Sequence, residues 1–486
     1  MIYLIGENVF SLNSGTEFSQ FQRLHALKRA GHEVKIVTRN YNRFLSQNLK
    51  QHGLDQQDSI NMYDFFQKTL NQPRKKQGLR YLESILLQDY HVVGIDNNRS
   101  EVHYQGKTIA NIHVMPATVG LVGDVEYLDD LGHPAVREYW DWRGFKSMVE
   151  SYHPDGTIGS QRFLDPHGQV VLEITHMNID GQVRPTMWKL LNYGGHNRIF
   201  DSESAIFTFF LNELNRQRQG TFISDRRSLD ANVLAVDQPV QTIAVIHSQA
   251  KDKQGIYADY QLALNGNTTT HFDKVALPTK QEERALRRFV TYPNCLHHVM
   301  DCYYKVTTKD RQLSAKPTLV YRGMLTEVKR ILDLISAFQL IHQQLPNARF
   351  VMQGYFTAGY QSSVENLIKQ SGLNDSVDLL NYKVQPTIYD HTDLFINASE
   401  NEGLGMNMVE SMSHGVPVIS YDVPYVNTLL PNNNLVANGD PAALAKRVVA
   451  TLSDSQGYAA LSKKAYQIAG QYNETDFVRQ WEELLG

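Results

Sequence analysis

The chain reads as an α/β protein with two doubly wound domains and a β-rich insert in the first. Three observations predict this. Apolar strand runs alternate with amphipathic helices near the start of the chain and again over its second half. Between about residues 75 and 204 that alternation fades. In its place turns recur, with final glycines at Gly156, Gly168, Gly181 and Gly195, 12, 13 and 14 residues apart. Such spacing is what a meander of antiparallel hairpins produces.

The elements follow in order. Ile2 to Ile5 is a buried-strand run. After the turn Leu12 to Thr16 a helix is expected from about Glu17 to Ala30, with Phe18, Phe21, Leu24 and Leu27 at helical spacing. Gly31 stops it, and Val34 to Val37 is the next strand. Strand, helix and strand at this distance imply a parallel pair with a right-handed crossover. In the insert, Gln169 to Ile174 is a strand. Beyond it, a helix is expected at about Ser204 to Arg216. Strands follow at Thr221 to Ser224, Thr242 to Ile246 and Lys274 to Leu277, with a helix at about Lys280 to Arg288. Lys305 to Lys316 is polar and ends before Pro317, as a linker does. Strands are then expected near Thr318 to Tyr321, Arg349 to Gln353, Val377 to Leu380, Leu394 to Ile396 and Pro417 to Ser420. The intervening helices are Lys329 to Gln344, Ser362 to Lys369, Met406 to Ser413 and Pro441 to Leu452. A last helix runs from about Glu474 to Leu485. The expected boundaries are 1–74 and 205–310 for the first domain, 75–204 for the insert, 317–472 for the second domain, and 473–486 for a terminal helix crossing back.

Composition narrows the classes. The 486 residues suit two to four domains of roughly 100–200 residues each. A net charge of −4 gives no support to a whole-chain grip on nucleic acid. Two cysteines exclude a disulfide-built scaffold and suit a reducing compartment. No apolar run approaches the ~20 residues of a membrane span, and the opening MIYLIGENVF lacks the marks of a signal peptide. A cytoplasmic protein is expected.

The most informative segment is Ser399 to Glu410. It follows a strand, crosses Gly403-Leu404-Gly405 and enters a helix at Met406. Backbone N–H groups of Leu404, Gly405 and Met406 at a helix start suit a diphosphate. Glu410, about one turn in, is placed to accept hydrogen bonds from ribose hydroxyls, and Glu402 stands at the loop mouth beside a sugar.

This segment resembles the Glu-x7-Glu motif of retaining, two-Rossmann-domain (GT-B) glycosyltransferases of the large family four. The resemblance implies two domains facing a cleft, with Glu402 by the donor sugar and Glu410 on the ribose. Gly323 to Arg330 resembles the family's Gly-Arg-Leu-x-x-x-Lys-Arg segment, where an Arg and a Lys neutralise the donor diphosphate. Lys329 is in place, but Met324 occupies the Arg position. Arg322, two residues earlier on the same side of a strand, either partly substitutes or leaves the diphosphate less neutralised. Asn13-Ser14-Gly15-Thr16 matches the family's Gly-Gly loop, with Ser14 for the first Gly, and Gly15 brings backbone near the sugar. His247 resembles the family His that contacts the donor sugar. Ser248-Gln249-Ala250 follows, so the second His of close relatives is missing. Tyr382-Lys383-Val384 resembles the loop whose backbone reads the base.

Ile60 to Gln67 and the insert narrow the resemblance to poly(glycerol- or ribitol-phosphate) α-glycosyltransferases of wall teichoic acid and the related bacterial transferases that modify Ser/Thr-rich proteins. There the insert serves assembly or acceptor binding. This implies transfer of GlcNAc or glucose from a UDP-sugar to a polymer or protein hydroxyl. Neither a cofactor nor a metal is expected. Homo- or hetero-oligomers through the insert and peripheral association with the inner membrane face are further expectations. The rival is a non-catalytic, acceptor-binding partner subunit, favoured by Met324 and Ala250 and opposed by Glu402, Glu410 and Lys329. A sugar-nucleotide epimerase of the same shape has different motifs.

Other constellations carry less. Cys295, His297, His298 and Cys302 do not have zinc spacing. Arg74-Lys75-Lys76, and Arg284 with Arg287 and Arg288, read as solvated faces; the first run alternatively steers a polyanionic acceptor.

Overall fold

The computed structural model describes residues 1–80, 82–267, 270–383 and 387–486. Two compact units divide it, and the chain passes between them more than once. One comprises 1–11, 34–222 and 231–240; the other comprises 12–33, 223–230 and 241–486.

In the first unit the parallel strands Ile2–Gly6, Val34–Thr38 and Ser59–Asn61 pair in that order, with Leu4 opposite Ile36 and Ile36 opposite Ser59. All five residues of the first strand are buried, as a parallel strand covered on both faces requires. Asn61 ends the third strand and caps the short helix Met62–Phe66, its side chain accepting from the N–H groups of Tyr63 and Asp64. The insert is a ten-stranded antiparallel meander between His91–Gly94 and His196–Phe200, each strand pairing with its sequence neighbours. Gly156, Gly168, Gly181 and Gly195 all have φ near +80°, the left-handed region these tight turns need. Its core gathers Val102, Ile112, Val125 and Trp140, with Leu82 and Ile85 packed in. Arg74 stacks on Trp142, its guanidinium 3.9 Å from the ring centroid, while Lys75 and Lys76 are exposed.

In the second unit Gln241–Val245, Lys274–Leu277 and Leu296–His298 form parallel pairs. A separate six-stranded parallel sheet has a doubly wound order. In its centre lies Thr318–Leu325, between Arg349–Phe356 and Leu394–Asn397. Helices Ile331–Gln344, Met406–Ser413, Pro441–Leu452 and Ser455–Ala469 contribute to a continuous apolar core around this sheet. The terminal helix Glu474–Leu485 buries Phe477, Trp481 and Leu484; Trp481 lies under Arg23 of the helix Gly15–Arg29, 4.1 Å from ring centroid to guanidinium.

Three of the differences from expectation lie around the second sheet. The strand expected to stop at Tyr321 continues to Leu325, because its pairing with the neighbouring strand runs unbroken from Thr318 opposite Arg349 to Leu325 opposite Phe356. The next helix starts at Ile331 rather than Lys329. Arg330 adopts φ 48°, and its N–H is taken by the Glu327 carbonyl, so a turn precedes the helix. Helix Ser455–Ala469 was not anticipated, since its buried face includes Ser462, Tyr458 and Tyr466 rather than an aliphatic stripe. Cys295 and Cys302 are free thiols, and no cluster among the described residues could hold a metal ion. No described helix is long and apolar enough to cross a membrane.

Candidate active site

The residues singled out at 15, 247, 322, 329, 383, 402–406 and 410 all belong to the second unit. Val384 lies outside the described residues. The strand Leu394–Asn397 delivers the chain into Ser399 to Gly405, and the helix Met406–Ser413 begins there. Gly405 is its N-cap at φ 75°, a conformation open to glycine. Among the described residues, the N–H groups of Leu404, Gly405, Met406 and Asn407 meet no hydrogen-bond acceptor. Four unpaired donors converge at the positive end of a helix, an arrangement that suits an anion.

Two ion pairs flank this helix start. Lys329 Nζ donates to Glu402 Oε1 at 2.7 Å, and Ser399 Oγ donates to the same oxygen at 2.6 Å. The Glu402 side chain is 8% exposed and that of Lys329 23% exposed, so the carboxylate is held inside and the ammonium at the rim. On the other side, Arg322 Nη1 donates to Glu410 Oε2 at 2.6 Å, and Tyr389 Oη donates to that oxygen at 3.1 Å. Among the described residues, every hydrogen bond to the Glu410 carboxylate goes to Oε2. Oε1 is therefore available to hydroxyl donors. Burial raises the Glu410 carboxyl above its usual range, with Arg322 and Tyr389 pulling the other way.

Arg322 is more fully committed than its spacing implied. Its Nη2 donates to the Lys383 carbonyl at 2.7 Å, its Nε to Gln353 Oε1 at 3.3 Å, and its guanidinium sits 4.8 Å from the Tyr382 ring centroid. It joins the Glu410 side to the loop at 382–383. Met324 follows on the same strand, with Tyr355 opposite.

His247 follows the strand Gln241–Val245 by two residues. Its Nε2 donates to Asp225 Oδ1 at 2.9 Å and its Nδ1 to Asp301 Oδ2 at 3.2 Å. Asp225 also receives both terminal nitrogens of buried Arg23, at 3.1 and 3.0 Å, and Gln20 Nε2 at 2.9 Å. Burial works to lower the imidazole pKa, but Asp301 and Asp225 outweigh it and push it up to about 9. At neutral pH the ring is therefore an imidazolium with both N–H groups engaged, and it has no lone pair to offer a proton. The backbone is what His247 presents to the 402–406 loop: a Cβ added to Gly403 would lie 2.0 Å from the His247 carbonyl oxygen. Gly403→Ala is accordingly expected to displace this loop and lower kcat by roughly a hundredfold, with only a small change in melting temperature. Rate assays and thermal denaturation on the same preparation check it.

Gly15 opens the helix Gly15–Arg29. An added Cβ there would meet only Met406 Sδ, at 3.8 Å, an ordinary contact. Ser14 and Glu17 close the helix start, Glu17 Oε2 accepting from the Ser14 N–H at 3.0 Å and its Oγ at 2.6 Å.

Sequence reasoning missed Asp225, Asp301, Arg23, Gln353, Tyr355 and Tyr389. Arg23 and Gln20 had one available signal. They are polar residues three apart on the face that also carries Leu24 and Leu27. Asp225 lies directly after the strand Thr221–Ser224, where ligand-binding residues of α/β folds collect.

Known proteins give this geometry a context. Residues 307–468 match the family of glycosyl transferases group 1. Over its full length the chain is 21% identical to the UDP-N-acetylglucosamine–peptide N-acetylglucosaminyltransferase GtfA subunit of Streptococcus agalactiae, covering 98% of that protein. It superposes with a TM-score of 0.84 on Staphylococcus aureus TarM, crystallised with UDP, α-GlcNAc-glycerol and fondaparinux, at 17% identity over 100% of this chain and 99% of that one. The pneumococcal O-GlcNAc transferase GtfA, in complex with UDP and GlcNAc, superposes at 0.83 with 18% identity, covering 100% and 98% of the two chains. The likeness to these solved structures shows a shared GT-B fold.

Proposed function

We propose that this chain, whose residues 307–468 belong to the glycosyl transferases group 1 family and whose fold is GT-B, is a retaining glycosyltransferase. It moves GlcNAc or glucose from a UDP-sugar to a hydroxyl of wall teichoic acid or of a protein Ser/Thr. The observation that carries this reading is the convergence of four unpaired backbone N–H groups at 404–407 with the Lys329–Glu402 and Arg322–Glu410 pairs.

In this reading the departing diphosphate lies over the helix start, where the amides and Lys329 stabilise the charge as it develops. These groups supply that stabilisation without a metal ion or cofactor. Glu410 Oε1 receives the ribose hydroxyls, and the backbone at Lys383 and Val384 reads the base. Glu402 orients the donor sugar. The leaving phosphate oxygen takes the proton of the incoming hydroxyl. His247 acts by position, through its carbonyl and the loop it holds. The S. agalactiae relative is named as a subunit. This supports assembly with a second protein; in the same reading the insert is the contact, and the cytoplasm, at the inner membrane face, is the place of action.

Incubating the protein with UDP-GlcNAc or UDP-glucose, with and without acceptor, tests the reading through UDP release. Turnover is expected. An absence of both binding and turnover, even with Met324→Arg, would reject it in favour of the acceptor-binding partner subunit that Met324 favours. In an active enzyme, Glu410→Ala is expected to raise the donor KM at least tenfold, in line with loss of charge-assisted hydrogen bonds worth ~1.5–3 kcal/mol. An unchanged KM would remove the ribose assignment.

A further inference from the structure

One cation beside this site has no role in the scheme above. Arg226 follows Asp225 and points to the start of the helix Gly15–Arg29. Its Nε donates to Glu17 Oε1 at 3.0 Å and its Nη2 to Ser14 Oγ at 3.1 Å, with a second, closer contact from Nη2 to Glu17. Among the described residues Nη1 makes no hydrogen bond, and the side chain is 34% exposed. The guanidinium is thus aimed by one edge and open along the other.

Its surroundings place that open edge. Ser14 is followed by Gly15, which approaches Met406 at the head of the anion-binding helix. Tyr355 Oη donates to the Asn13 carbonyl of the same loop at 3.2 Å, and Tyr355 is the register partner of Met324. Burial raises the Tyr355 phenol; Glu17 raises it further and Arg226 opposes, so both charges lie close to that ring. Arg322 is tied to Glu410 and the 383 carbonyl, and Lys329 to Glu402. A doubly or triply charged phosphate group at 404–407 would meet one ammonium there, and that ammonium is shared with a carboxylate.

We infer that Arg226 is a phosphate-binding residue of the proposed transfer site: Glu17 and Ser14 hold one edge of its guanidinium, and the Nη1 edge meets phosphate oxygens. A planar fork fixed on one side loses little freedom when it binds an oxyanion on the other. The phosphate comes from the donor diphosphate or from a phosphodiester acceptor. The inference rests on the transferase reading.

Calorimetric titration of UDP and of uridine into wild type and Arg226→Gln tests the donor source. UDP affinity is expected to fall at least tenfold while uridine affinity holds, and Met324→Arg in the Arg226→Gln background should restore most of the loss. Arg226→Lys, which keeps the charge but not the fork, should fall between. Thermal denaturation of each variant excludes loss of folding as the cause. The acceptor arm compares KM for a glycerol-phosphate oligomer with KM for a Ser/Thr peptide. Unchanged UDP affinity with a tenfold rise for the oligomer alone assigns the phosphate to the acceptor and supports the inference in that form. Unchanged UDP affinity and unchanged acceptor KM overturn the inference and leave the transferase reading standing. Failure of wild type to bind UDP or any UDP-sugar overturns both.

Discussion

Lys329→Ala is expected to lower kcat by roughly a hundred- to a thousandfold, the usual cost of removing one preorganised donor from a developing oxyanion. The ammonium is poised at the rim, 23% exposed, with Glu402 Oε1 at 2.7 Å. It can turn toward a diphosphate without leaving the carboxylate, since it carries three donors. Two effects add in the variant. In the proposed reading the leaving group loses its cation, and among the described residues Glu402 keeps only Ser399 as a hydrogen-bond donor while 8% exposed. Lys329→Arg should retain part of the rate. UDP release at saturating donor measures the effect. A Lys329→Ala enzyme at full activity would remove the diphosphate role.

The second large effect is on stability. Asp225→Ala is expected to cost about 3–5 kcal/mol, because it strands buried charge rather than merely deleting a pair. Arg23 has no exposed side-chain surface, and Asp225 is its bidentate partner, shared with His247 and Gln20. Chemical denaturation at neutral pH reads this as a lower midpoint with an unchanged slope. The same network sets a pH dependence. The His247 pKa is raised from 6.5 to about 9 on folding, so its contribution is complete below pH 6.5 and is lost as pH rises through 9. Asp225 and Asp301 are shifted down, through Arg23 and His247 respectively against their burial. Their contributions are present above about pH 4 and fade as pH falls. Stability from this cluster is therefore expected to be greatest between about pH 4 and pH 6.5. In the Asp225→Ala variant the alkaline decline should still begin near pH 6.5 but be smaller and end at lower pH.

Much of the site was legible because its signals are local. The turn at 403–405 needs glycine where φ is positive, and the start of helix Met406–Ser413 follows from it. The insert was legible for the same reason, its turn glycines marking each reversal of a meander. Arg322 shows where local reasoning stops. Strand alternation gave the side it faces, but not Gln353, the Lys383 carbonyl, Tyr382 and Glu410, which come from three separate segments. His247 shows it more sharply. A histidine at a strand end suggests a ring free to touch ligand, yet carboxylates 22 residues before and 54 residues after it engage both nitrogens.

By itself, then, the amino-acid order determined the alternation of strands and helices, the meander between them, and the amide-lined helix start. Each depends on residues within a few positions of one another, where backbone sterics and hydrophobic period decide. The tertiary structure alone decided which charges neutralise which. Ion pairing depends on distance and burial, and folding sets both between residues as far apart as Arg23 and Asp225, or Arg226 and Glu17. That assignment leaves Lys329 at the rim, Arg322 beside Glu410, and Arg226 with one open edge.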